Sequence, residues 1–197
     1  MTQPTRRGRW QLLAVLVLFV GPTVAAFVLT VSGWRPGGTT NNGELVQPVQ
    51  RLAMEGWRDR TGEAPDLDGS WILLVPLAGD CNAECEDRLE TLGRVRIALD
   101  RDVDRVRIAT LQPPDSVPPE ADGDALVRLT APAPRVAALI GNAGQPVAVH
   151  LLDYRGFHVL RYRRPLDASG LLDDLERLLR LSKEEAERRA SESPDNA

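Results

Sequence analysis

The sequence predicts an α/β domain, a mixed sheet flanked by helices, behind a single N-terminal transmembrane helix. Three observations carry that expectation. Three arginines precede an uncharged run from Trp10 to Val31; from Trp71 onward, short apolar runs alternate with runs of helical period; and the last two strand-like runs flank a turn containing Gly156 before a closing amphipathic helix.

As a helix, the run from Trp10 to Val31 extends about 33 Å, enough to cross a bilayer core. Trp10 and Trp34 bracket it as interfacial aromatics do, and Arg6, Arg7 and Arg9 hold the preceding flank inside the cell. A cleaved signal peptide is the rival reading, since Val24-Ala25-Ala26 offers small residues for cleavage, but Phe27 to Val31 would then leave an apolar start to the mature chain. Residues 1–9 are expected to be cytoplasmic, 10–34 an inner-membrane anchor, 35–44 a flexible tether, 45–182 the folded domain and 183–197 a charged, frayed tail. Everything beyond the anchor is then periplasmic. Setting aside the three arginines before the span leaves 21 basic against 28 acidic residues, a formal charge of −7. That balance argues against nucleic acid or anionic headgroups as partners.

The elements follow in order. Residues 32–44, rich in Gly, Asn and Thr, carry no apolar period and form the tether, and a turn-rich stretch then leads into WILLVPL at 71–77, a strand covered on both faces. From Asn82 to Leu99 the apolar residues recur near helical spacing; DRVRIATL at 104–111 alternates as a second strand. A Pro-rich loop and ALVRL separate it from a short helix that begins near Pro134 and stops at Gly141-Asn142. PVAVHLLD and FHVLRYRRP make a hairpin about Tyr154-Arg155-Gly156, and residues 167–189 form the closing helix. Strand, helix, strand, helix, strand, strand, helix is the thioredoxin-like plan. Such domains place redox chemistry where the first core strand meets the next helix, and Cys81 and Cys85, the only cysteines, lie there. The same plan has a cis proline near the site, a role open to Pro146.

GDCNAECEDRLETL on an exported domain, together with VHLLDYRGFHVLRY, resembles the Sco/SenC family of thioredoxin-like cytochrome c oxidase assembly proteins. The resemblance implies a membrane-bound assembly factor or metallochaperone rather than a turnover enzyme, with oxidase subunits or other assembly factors as partners. It also implies copper, held by the C-x3-C pair and a distant His. The spacing matches at Cys81 and Cys85; Asn82 and Glu86 stand where the family's prolines follow each Cys, and Gln145 where its His is expected. The third ligand is then sought in His150, with His158 farther along the hairpin.

On their own chemistry, residues at i and i+4 share a helix face, so two thiolates can converge on a soft ion or approach disulfide distance. A helix N-terminus lowers a thiol pKa, while Asp80, Glu84, Glu86 and Asp87 oppose a thiolate and suit a cation better. Met54 offers a soft thioether, with core packing as its plainer role. No Ser-His-Asp arrangement or phosphate loop is legible. Three readings stay open for the pair: copper handling, thiol–disulfide exchange, or a structural disulfide in a scaffold that binds oxidase subunits without chemistry of its own.

Overall fold

The computed structural model describes residues 41–120, 126–141 and 144–192, together with scattered helical positions between residues 10 and 28. Two compact units divide the chain, Met1–Thr40 and Asn41–Ala197. The expected cytoplasmic segment 1–9, much of the anchor at 10–34, the tether up to residue 40 and the last five residues lie outside the described residues. Among the described residues, no helix is long and apolar enough to cross a membrane.

The second unit holds one six-stranded mixed sheet. Its strands are β1 (Glu44–Leu45), β2 (Trp71–Pro76), β3 (Val106–Gln112), β4 (Leu126–Thr130), β5 (Val147–Leu152) and β6 (His158–Arg163), in spatial order β1-β6-β5-β2-β3-β4. β2 lies beside β3 in parallel and β5 in antiparallel pairing, and all six of its residues are buried. An unbroken apolar run suits that place, because both faces of a central strand are covered. Trp71, Leu73 and Val75 face α1 (Ala83–Ala98) and α3 (Ala168–Glu192) through Leu89, Leu92, Leu171 and Leu175. Ile72 and Leu74 point the other way, into a second core with Trp57, Leu111 and Val136 of α2 (Ala133–Ile140). The thioredoxin-like arrangement therefore stands as a sheet with helices on both faces.

Several elements differ from expectation for local reasons. ALVRL is a strand, since β4 pairs in parallel with β3 along its whole length; five residues with Arg128 in their midst give little period of their own. β3 starts at Val106, not Asp104, because a 3-10 turn over Asp100–Arg105 intervenes. α3 runs to Glu192, three residues beyond the expected end of the closing helix at residue 189, so part of the charged tail is helical. Arg180–Glu184 and Arg189–Glu185 pair along it at i, i+4.

The folded unit also begins earlier than residue 45. Asp174, fully buried on α3, accepts hydrogen bonds from Tyr162 Oη at 2.8 Å, Gly43 N at 2.8 Å and Asn42 N at 3.0 Å. A buried carboxylate needs such donors. The end of the expected tether supplies two of them and is thereby fastened to the fold. Gly43 and Gly170 allow the close approach, since a Cβ at either would come within 2.7 Å of Tyr162 or 2.6 Å of Asn42, respectively.

Candidate thiol site

β2 delivers the chain to the site. Leu77 N extends its pairing by donating to Leu111 O, the loop 78–81 turns, and Asn82 caps α1 by accepting from Cys85 N at 3.0 Å. Cys81 and Cys85 are joined as a disulfide with Cα atoms 5.3 Å apart. That separation lies within the ordinary range for such a bond. Cys85 is buried against the α1 side of the sheet; Cys81 is half-buried and remains the more accessible sulfur. The Pro-rich loop after β3 clamps the turn, as Cys81 N donates to Val117 O and Val117 N donates to Asp80 Oδ1.

The acidic neighbours do not form the cation-favouring collar that their spacing suggests. Asp80 holds Val117, Glu86 Oε1 accepts from Glu120 N at 2.8 Å, and Glu84 Oε1 accepts from both Arg88 Nη2 at 3.0 Å and Arg164 Nη1 at 2.8 Å. Asp80, Glu84 and Glu86 are thus each engaged by donors. Two arginines share a cavity with Cys85. Arg88 is only 8% exposed, its Nη1 has no hydrogen-bond partner, and it lines a cavity of about 210 Å³ together with Cys85, Arg164, Glu84, Asp80 and Asn82. Burial holds the Arg88 pKa below its usual value, the Arg164 charge adds to that, and Glu84 opposes it.

His150 is not brought to this pair. It lies opposite Leu74, on the sheet face that packs toward α2, whereas Cys85 belongs to the other face. Its ring is also fully used: Nε2 meets Leu139 O at 2.9 Å and Nδ1 meets His158 Nε2 at 2.8 Å. A carbonyl only accepts, so the neutral ring carries its proton on Nε2 and its Nδ1 accepts from His158. Strict alternation would put His158 on the face of Leu160. A register shift between Leu151 and Leu152 sets it opposite Leu152 instead, next to His150.

The remaining candidates lie apart as well. The Gln145 carbonyl accepts from Arg163 Nη1, and Met54 packs against the second core. Among the described residues, the cis peptide bonds are Gln47-Pro48 and Arg164-Pro165, not the one before Pro146. Among the described residues, two sulfurs are thus the donors gathered here, and they do not fit a resident copper ion completed by the chain's own third ligand, since no group of three His, Cys, Asp or Glu there could hold a metal.

Arg88 and Arg164 are the site residues that sequence reasoning missed. Arg88 carried a signal, since it follows Cys85 by three positions and so shares its helix face. Arg164 carried none, arriving from the far end of β6.

The family described as "Transmembrane-like, thioredoxin-like, C-terminal domain" matches residues 71–182, and that described as "Transmembrane-like, N-terminal domain" matches residues 2–32. No curated protein matches the chain. Among solved structures, BsSco, a Sco-family cytochrome c oxidase assembly protein with a disulfide switch, is similar at 12% identity and a TM-score of 0.48, over 68% of this chain and 96% of its own. A SCO1/SenC family lipoprotein from Bacillus anthracis is similar at 14% identity and a TM-score of 0.48, over 68% and 99%. Copper-bound ScoI from Arabidopsis thaliana is similar at 16% identity and a TM-score of 0.46, over 66% and 99%.

Proposed function

From the premise that this chain belongs to the transmembrane-like, thioredoxin-like family, we propose a membrane-anchored, periplasmic factor for cytochrome c oxidase assembly that works by thiol–disulfide exchange at Cys81 and Cys85. One observation carries the reading: an accessible and a buried sulfur share a disulfide at the junction of β2 and α1. An incoming client thiolate attacks Cys81 Sγ, forming a mixed disulfide there, and Cys85 Sγ leaves with the electron pair. A second client thiolate then attacks the client sulfur of that bond, and Cys81 leaves as a thiolate. The client ends with a disulfide, the pair ends reduced, and two electrons have moved. Run backward, the same steps reduce a client disulfide.

Residues 10–34 serve as the anchor in this reading and the domain from residue 45 onward is exported, with the three arginines and the transmembrane-like N-terminal match as support. An alkaline phosphatase fused after Ala197 should be active in a bacterial host; activity only from a cytoplasmic reporter would refute the topology. Copper is the second reading, favoured by two sulfurs at one face. Copper would then be cargo, with the client furnishing the remaining donor. Oxidase activity in cells carrying Cys81→Ser with Cys85→Ser should fall to the level of the deletion. Full activity would leave the scaffold role as the sound one.

A further inference from the structure

Resting on that exchange reading, we infer that Arg88 is a positioning residue for charge: it stabilises the Cys85 thiolate that forms when the disulfide opens. Cys85 and Arg88 occupy positions i and i+3 of α1, so their side chains leave one helix face about 5–6 Å apart at Cβ. Both line the same cavity of about 210 Å³. Arg88 keeps one buried N–H group, Nη1, without an acceptor. Such a donor is costly to leave unmade, and a new anion on the same face answers it.

The charge balance around the cavity decides whether the thiolate is favoured. Burial alone raises the pKa of a thiol such as Cys85. Against that stand the guanidiniums of Arg88 and Arg164, and with it Asp80 and Glu84, the remaining charged groups of the cavity wall. Glu86 and Asp87, in the first turns of α1, are the other acids nearby, and Glu86 is bound to Glu120 N. Glu84 is shared between the two arginines through one oxygen, so these three groups carry one net positive charge, which Asp80, held by Val117 N, offsets over the cavity wall as a whole. Reduction by a dithiol transfers two electrons to the Cys81–Cys85 bond and releases two protons from the dithiol. One proton goes to Cys81; the other goes to solvent while Cys85 keeps its negative charge. A better-stabilised leaving thiolate speeds attack on Cys81 and makes the pair more oxidising.

The test uses the full chain in detergent, reduced with a phosphine, with thiolate absorbance followed against pH and the potential measured against a dithiol couple. Arg88→Gln should raise the lower thiol midpoint by about one pH unit, a tenfold change, and lower the potential by about 30 mV. Arg88→Lys should restore much of both. Glu84→Gln, which frees the guanidiniums, should move the midpoint the opposite way and keeps the question decidable if Arg88→Gln does not fold. Wild-type midpoints in Arg88→Gln or in Glu84→Gln, or an Arg88→Lys indistinguishable from Arg88→Gln, would overturn the inference. None of these readouts involves a client, so loss of the oxidase role would leave them intact.

Discussion

Lowering the pH from 7 to 5 should cost the folded domain about 4 kcal/mol, through two histidines far from the thiols. Burial pushes His150 down to about 3, helped by the charge of His158 and of Arg161; burial, then Arg161, pushes His158 down to about 4. Both values lie below the 6.5 of a free histidine, so the unfolded chain takes up these protons first. Their contribution to stability is therefore complete above pH 6.5 and is lost as pH falls toward the folded values. At pH 5 an unfolded histidine is almost fully protonated while the folded pair is not, which costs about 2 kcal/mol for each ring relative to pH 7. The geometry adds to the effect of burial: a proton on His150 Nδ1 would set an N–H against the His158 Nε2–H that it now accepts, although the Leu139 carbonyl, which accepts from Nε2, favours the charged ring. Urea titrations at the two pH values measure the difference, and His158→Leu should remove about half of it. Equal stability at pH 7 and pH 5 would refute the buried neutral pair.

Asp174→Ala should destabilise the domain by about 4 kcal/mol and release residues 41–43 to protease, because Tyr162, Asn42 and Gly43 lose one acceptor together. Limited proteolysis beside a denaturant curve checks both; an intact N-terminal edge would contradict the fastening. Gly170→Ala should cost roughly 1–3 kcal/mol, since its Cβ would lie 2.6 Å from Asn42 Cβ. Leu73→Ala, beneath α1 at a fully buried position, should cost about 2–5 kcal/mol by thermal melting. Thiol counting on the unreduced chain should find no free cysteine. Removing the bond by Cys81→Ser with Cys85→Ser should lower stability by only about 2 kcal/mol, as the loop it closes is short.

The strands and helices that were legible are those whose own pattern suffices. WILLVP is apolar throughout, α1 has Asn82 as its cap, and Asp153 with Gly156 marks the hairpin: Asp153 Oδ1 accepts from Arg155 N and Phe157 N. β4 was illegible because its pairing with β3, not its sequence, makes it a strand. The Cys pair was found from spacing and place in the chain order. Its electrostatics were not, because a carboxylate's neighbours in sequence do not say which donor binds it. Glu84 reads as a negative charge beside the thiols until Arg164, distant in the chain, is folded against it. His150 failed as a ligand for a related reason: strand parity fixes its face, but only the sheet order says which face holds the cysteines.

Exchange at Cys81 is tested most directly by trapping its intermediate. In Cys85→Ser, a client held at Cys81 lacks the buried thiol that would release it. The account predicts a mixed disulfide in cells, detected on non-reducing gels and mapped by mass spectrometry, between Cys81 and a cysteine of an exported oxidase subunit or assembly factor. The adduct should vanish in Cys81→Ser. Absence of any such adduct, with oxidase activity undiminished in Cys85→Ser and in Cys81→Ser, would contradict it.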